Sequence, residues 1–318
     1  MRSTPNIDTI PLAINFYLND CIARNMTPST IRLKRQSLER FDSWCLTEKI
    51  RSPQEIDLDV MEDYRQFLHH TKKKSDGKPL SINTQYKFLT DLKLFLRRLY
   101  CRRIIFNSEF ESFEMPRCKK RIPRVVLSPE EVERIFVLPA LRNDLIGFRD
   151  RAILELFYAS AIRREEMARI RIPHIELDKC IMQVVEGKGL KDRRIPISSR
   201  VVNLITRYLE EIRPKLANLE SEDFLFLTSN GNSLNPDQVG QMVGKYVRRA
   251  GINKPGACHL FRHAVATSML NSGADIRYVQ ELLGHSDLST TQIYTYVAIE
   301  QLQKVYSATH PSCVKRES

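Results

Sequence analysis

No apolar run in this chain approaches the ~18 residues that a membrane-spanning helix needs. The opening stretch MRSTPNIDTIPLAINFYL has no apolar core of secretory type. A cytoplasmic protein with no membrane partner is expected. CxxC pairs are missing too. The seven cysteines, Cys21, Cys45, Cys101, Cys118, Cys180, Cys258 and Cys313, are scattered and odd in number. That argues against a disulfide framework or a zinc site and fits reduced thiols. Lys188 stands between Gly187 and Gly189, but a phosphate loop needs Ser or Thr after its lysine, and Gly189 follows here. No GxGxxG occurs. His259 and His263 have the spacing of a helical zinc pair, yet the run HLFRH lacks the glutamate, and Arg262 between them would repel a cation. Neither a nucleotide cofactor nor a metal is expected. Internal repeats and low complexity are also absent.

What is present points to a polyanion. A chain of 318 residues is long for one core, so two domains are expected. The net charge is +12, and nucleic acid is the commonest partner of such an excess. Charge alone leaves a merely basic enzyme equally open. The excess divides as +7 over residues 1–120 and +5 over the remainder, so both halves are placed to touch the same polyanion.

Periodicity and turn signals give about four helices in the first ~110 residues. Thr27-Pro28 caps and opens a helix with Ile31, Leu38, Phe41 and Cys45 at helical spacing. A second strong pattern places Leu89, Leu92, Phe95, Leu96 and Leu99 on one face. KKKSDGKP between helices reads as a solvated loop. The basic, Pro-containing stretch EMPRCKKRIPRVVLSPEE lacks helical period, and Ser128 with Glu131 forms a capping box after it. The expected organisation is an N-terminal domain over 1–115, a linker over 116–127 and a C-terminal domain over 128–318. In the latter, LIGFRDRAILELFYASAI is expected as one long apolar helix. CIMQVVEGKGLKDRRIPIS alternates, turns at Gly187-Lys188-Gly189 and returns, which predicts a β-hairpin. Helices are expected from there to the end. The fold class is mainly α (α+β) with a small antiparallel sheet.

Five polar positions stand out: Arg163, Lys188, the pair His259 and Arg262, His285, and Tyr294. Singly, each has a plain structural reading, as a helix-end charge, a hairpin-tip lysine, a helix cap or one of eleven tyrosines. Together they resemble a known pattern. HLFRHAVATSMLNSGADIRYVQELLGHSDLSTTQIYTYVA is similar to the signature of the tyrosine recombinase (phage integrase) family, and most to its Xer recombinases. The successive intervals from His259 to Arg262, on to His285 and on to Tyr294 are 3, 23 and 9 residues, as in that family. FYASAIRREEMARIRIPHIEL resembles the family's first arginine box. That resemblance makes Arg163 the first catalytic arginine and Glu166 its supporting acid. GKGLKDRRIPI resembles the hairpin carrying the catalytic lysine, at Lys188. The N-terminal half resembles, more loosely, the family's SAM-like four-helix core-binding domain, which implies that the C-terminal domain is catalytic. One departure is visible: Ala161 stands where the first box usually has glycine, and a methyl there strains the turn if φ is positive.

The chemistry suits these residue types. A tyrosine oxygen that attacks a phosphate stores the broken bond in a covalent intermediate. A free phenol ionises near pH 10, so its anion at pH 7 costs roughly 4 kcal/mol. Two guanidiniums, from Arg163 and Arg262, offer planar forks to the charged phosphate oxygens. His285 would donate a further hydrogen bond, and His259 is suited to accept the tyrosine proton. The resemblance gives Lys188 the role of acid for the leaving 5′-oxygen. Glu166, three residues after Arg163, would hold a basic side chain in place.

The resemblance implies double-stranded DNA with a specific recombination site as partner, and a homotetramer or a heterotetramer with a paralogous recombinase. Type IB topoisomerase activity and a non-catalytic DNA-binding role are the rival readings. Chromosome dimer resolution and mobile-element integration both stay open, with the +12 charge and the HHTKKKSDGKPLSI insertion leaning to the latter. Past Tyr294, Ile299, Leu302, Val305 and Tyr306 form an apolar stripe. Periodicity leaves docking in cis or trans open, and the resemblance favours trans.

Overall fold

The computed structural model describes residues 7–73, 77–118, 126–185 and 192–284. The chain divides into two compact units, Met1–Lys120 and Arg121–Ser318. Each has its own hydrophobic core. Among the described residues no helix is long and apolar enough to cross a membrane.

The described residues of the first unit contain four α-helices: α1 Ile10–Ala23, α2 Pro28–Thr47, α3 Leu58–His70 and α4 Ile82–Cys101. Each of the last three begins at a side-chain cap. Thr27 accepts from the Thr30 N–H, Asp57 from Val60 and Ser81 from Thr84, each satisfying a backbone donor that the helix leaves unpaired. The predicted face of α4 is buried in full. On α2 the buried positions include Leu38, Phe41 and Cys45, while Ile31 is only partly covered. Phe41 meets Tyr64 of α3 edge-on at 4.9 Å, a geometry worth ~0.5–1.5 kcal/mol beyond burial. An ion pair is taken into this core. Lys34 of α2 donates to Tyr17 Oη of α1 at 3.1 Å and to Asp91 Oδ1 of α4 at 3.2 Å, tying three helices together.

In the second unit the Ser128–Glu131 capping box opens α5, Pro129–Ala140. Then come α6 Leu145–Ser160, α7 Arg164–Ala168, β1 Ile175–Glu176, β2 Ile181–Val184, β3 Arg193–Pro196 and α8 Ser199–Arg207. A π-helical turn over Tyr208–Ile212 leads into α9 Arg213–Leu216. After these follow α10 Pro236–Arg249, α11 Ala257–Asn271 and α12 Ile276–Leu283. The three strands form one antiparallel sheet in the order β1-β2-β3. Val184 faces Arg193 and Met182 faces Ile195, so the expected hairpin pairs as predicted. Its tip, residues 186–191 with Lys188, lies outside the described residues.

Two sequence expectations need correction. The apolar helix α6 stops at Ser160 rather than running on to Ile162, because Ala161 turns left-handed. The chain between α9 and α10 is not helical: Arg171 bridges to Phe224 and Leu227 to Ser233, with Gly231 at φ 82° completing a turn that L-residues rarely adopt.

The main core of this unit gathers apolar side chains from α5, α6, the sheet, α8, α10 and α11. Phe261 of α11 is fully buried, stacked on Phe136 of α5 at 6.3 Å and edge-on to Tyr158 of α6 at 6.5 Å. This fixes the face of α11 from which the neighbouring Arg262 projects. A separate small cluster joins Ala161 to Val265, Ala266 and Leu270 of α11 and to Val279 and Leu283 of α12.

Candidate active site

The site is built around two helix ends. At the end of α6, Ala161 adopts φ 51° and ψ 25°, and its N–H donates to the Phe157 carbonyl at 2.9 Å. At the end of α12, Gly284 adopts φ 60° and ψ 49°. Both are left-handed caps of the kind that end helices. Helix C-termini leave carbonyls without intrahelical donors and carry partial negative charge, so cations are favoured beside them.

Arginines supply those cations. The reversal at Ala161 places Arg163 immediately before α7. Arg163 Nη2 donates to the Gly284 carbonyl at 3.0 Å. Arg262, buried on α11 at 4% exposure, donates through Nη1 to the Ala161 carbonyl at 2.7 Å and through Nη2 to the Leu283 carbonyl at 2.6 Å. A third arginine, Arg193 on β3, donates through Nε to the Leu282 carbonyl at 3.2 Å. Three consecutive carbonyls at the end of α12 thus each receive a different guanidinium.

Glu166 of α7 organises two of these cations. Its Oε2 accepts the Arg163 backbone N–H at 2.8 Å, and its Oε1 accepts Arg163 Nη1 at 2.8 Å. From the other side Arg193 makes a bidentate fork, Nη1 to Oε1 at 3.0 Å and Nη2 to Oε2 at 2.8 Å. Burial works against the Glu166 charge. The Arg193 hydrogen bonds, the Arg163 amide and the two positive charges outweigh it and bring the carboxyl down to about 2.

His259 lies one turn before Arg262 on α11 and keeps solvent-exposed surface. The packed protein beneath it lowers its pKa, helped by the positive charge of Arg262, Arg164 and Arg163. His263, further along, is pushed down to about 4 by burial and by its neighbours His259 and Arg262. Both shifts favour the neutral imidazole, the form that can accept a proton. Among the described residues no group of three His, Cys, Asp or Glu could hold a metal ion.

Of the residues singled out in the sequence, Arg163, Glu166, Arg262 and His259 are placed by the structure, the first three in one bonded network around the ends of α6 and α12. Lys188, His285 and Tyr294 lie outside the described residues, as does the apolar stripe over 299–306. Sequence reasoning missed Arg193. Its signal was there: strand alternation puts Arg193 on the same face as the fully buried Ile195. A charge in an inward register calls for a buried partner, and Glu166 is that partner.

The phage integrase family model matches residues 125–301, and that of the phage integrase SAM-like domain matches residues 14–115. Tyrosine recombinase XerC 2 of Ralstonia nicotianae is 40% identical over 288 residues, covering 91% of this chain and 82% of the relative. Tyrosine recombinase XerC of Anoxybacillus flavithermus is 34% identical over 308 residues, covering 94% and 98%. Among solved structures, the XerH site-specific recombinase bound to palindromic difH substrate in a post-cleavage complex shares the fold. Its TM-score is 0.70 at 22% identity, over 90% of this chain and 81% of that one. With 177 residues of one family model and a second domain model accounted for, more than half of the sequence, this chain belongs to the phage integrase family, among the Xer-like tyrosine recombinases.

Proposed function

We propose that the chain is a site-specific DNA recombinase that cleaves and rejoins duplex DNA through a covalent 3′-phosphotyrosine at Tyr294. The observation that carries the site assignment is the convergence of Arg163 and Arg262 on the end of α12, with Arg262 also bonded to the end of α6 and His259 one turn away. The two guanidiniums hold the non-bridging oxygens of the scissile phosphate as charge gathers there. His259 takes the phenolic proton while the Tyr294 oxygen bonds to phosphorus. The bond to the 5′-oxygen breaks, and Lys188 protonates that leaving group. His285 donates a hydrogen bond to the phosphate. A 5′-hydroxyl from another strand then attacks the phosphotyrosine and releases Tyr294, so no bond energy is lost.

In this reading residues 1–115 form a SAM-like core-binding domain, 116–127 a linker and 128–318 the catalytic domain. The basic charge of both halves supports a clamp around DNA. The relatives support a recombination site as the target; in this reading the assembly is a homotetramer or a heterotetramer with a paralogue, acting in the cytoplasm. The stripe at Ile299, Leu302, Val305 and Tyr306 would link neighbouring copies.

The test is a nicked suicide duplex run on denaturing gels. The parent protein accumulates a covalent adduct, and Tyr294→Phe forms none while binding the site as before. An adduct that persists in Tyr294→Phe removes Tyr294 from the role. Relaxation of supercoils without exchange between two sites would point to a topoisomerase instead.

A further inference from the structure

We propose that Arg193, on strand β3, is a positioning residue for strand cleavage: it takes up the charge of Glu166 and holds the last turn of α12, so that Arg163 keeps its positive charge for the phosphate. The inference rests on the reading that Arg163 binds the scissile phosphate, and it adds a residue that does not touch the DNA.

The geometry carries the argument. Glu166 has one negative charge and accepts four hydrogen bonds, two from Arg163 and two from Arg193. With Arg163 alone, this carboxylate would make a closed, neutral ion pair, and a phosphate arriving there would meet little net attraction. With Arg193 added, the trio carries a net charge of about +1 by simple count of ionised groups. All three side chains are largely buried, Glu166 at 5%, Arg193 at 10% and Arg163 at 17% exposure, so solvent screens this difference poorly.

Arg193 also has a fixed seat. Its Nε reaches the Leu282 carbonyl, and its guanidinium lies close against Gly284. A Cβ at Gly284 would stand 2.9 Å from Arg193 Cζ, closer than real side chains approach. Glycine there serves both the positive φ and the passage of Arg193 towards Glu166. The planar fork matters as well as the charge: a lysine supplies the charge but cannot bridge both carboxylate oxygens and the Leu282 carbonyl at once.

The experiment measures site binding by gel shift and single-turnover adduct formation on the suicide duplex, in the full-length chain. Arg193→Met is expected to slow cleavage about 10- to 100-fold, the usual effect of losing a group that orients another, with half-site affinity nearly unchanged. Arg193→Lys falls between the two. The decisive variant is Arg193→Met combined with Glu166→Gln. Removing the now uncompensated carboxylate returns the positive charge to Arg163, and the double variant should cleave faster than Arg193→Met alone. A side chain that only held the fold together would give a double variant as slow as or slower than the single one, and that result overturns the proposal. So does an Arg193→Met protein that cleaves at the parental rate. Arg163→Ala is run alongside: parental cleavage there sinks the reading of Arg163 itself, separately from the outcome at Arg193.

Discussion

Ala161 offers the sharpest test of the site's architecture. It sits at φ 51° and ψ 25°, fully buried, with its carbonyl bonded to Arg262. Three effects compete when it is changed to glycine. Relief of the left-handed strain is worth ~1–2 kcal/mol. Loss of the buried methyl, which packs in the cluster with Val265, Ala266, Leu270, Val279 and Leu283, costs about 0.8 kcal/mol. The extra freedom of glycine in the unfolded chain costs a further ~0.5–1 kcal/mol. These nearly cancel, so Ala161→Gly should change stability by less than about 1 kcal/mol. Ala161→Val has no such balance. A β-branched side chain is a conformational outlier at this φ, and two added methyls in a closed cluster cost ~1–3 kcal/mol by themselves. The expected loss is about 3 kcal/mol or more, a fall in the Tm of the second unit of roughly 6–12 °C at ~2–4 °C per kcal/mol. Calorimetry on the full chain measures both. A valine variant that melts with the parent, or a glycine variant displaced by more than about 2 kcal/mol, would refute the left-handed cap and the packing assigned to it.

Two further predictions concern acid. The His263 pKa is lowered on folding from 6.5 to about 4, so the unfolded chain binds the extra proton. Stability present above pH 6.5 is lost as pH falls from there towards about 4, and His263→Asn should flatten that part of a plot of urea midpoint against pH. Glu166 is lowered from 4.5 to about 2, so its contribution, present above 4.5, is lost only as pH falls from there towards about 2. Glu166→Gln should remove this second, more acidic loss and leave the first in place; the reverse assignment of the two windows would contradict the charge environment described for each group.

Local features were legible in the sequence. The caps at Thr27 and Ser128 are set by residues within three positions of one another, and the apolar face of α4 by its own period. Arg163 and Glu166 could be paired in advance because one turn of helix separates them. What escaped is what the chain brings together from afar. The bond from Arg262 to the Ala161 carbonyl spans 101 positions, and that from Arg193 to the Leu282 carbonyl spans 89. Side-chain types say nothing about which carbonyl a guanidinium will find. Ala161 was marked as unusual by the glycine expected there, but its positive φ is set by the need to turn α6 into α7 and could not be read from the alanine. The Asn-Gly pair ending at Gly231 was a legible turn signal within the stretch expected as helix before α10, and the left-handed φ there bears it out.

Among the described residues, helix α12 touches the main hydrophobic core only through the partly buried Leu282, and this has a consequence for motion. Its buried anchors are Val279 and Leu283, in the small cluster shared with α11. Burying two such side chains supplies only ~3–6 kcal/mol. Beside the partly buried Leu282, its final turn is held by the Arg193, Arg262 and Arg163 guanidiniums, which is to say by electrostatics. The helix should therefore open more readily than α6 and the sheet. Native-state amide exchange should register it as a region whose protection is lower than that of Ile153–Phe157 and falls with added salt. In the proposed reading, a phosphate that engages Arg163 and Arg262 competes with the Gly284 and Leu283 carbonyls for those donors, while Arg193 keeps its bond to the Leu282 carbonyl and with it a hold on α12.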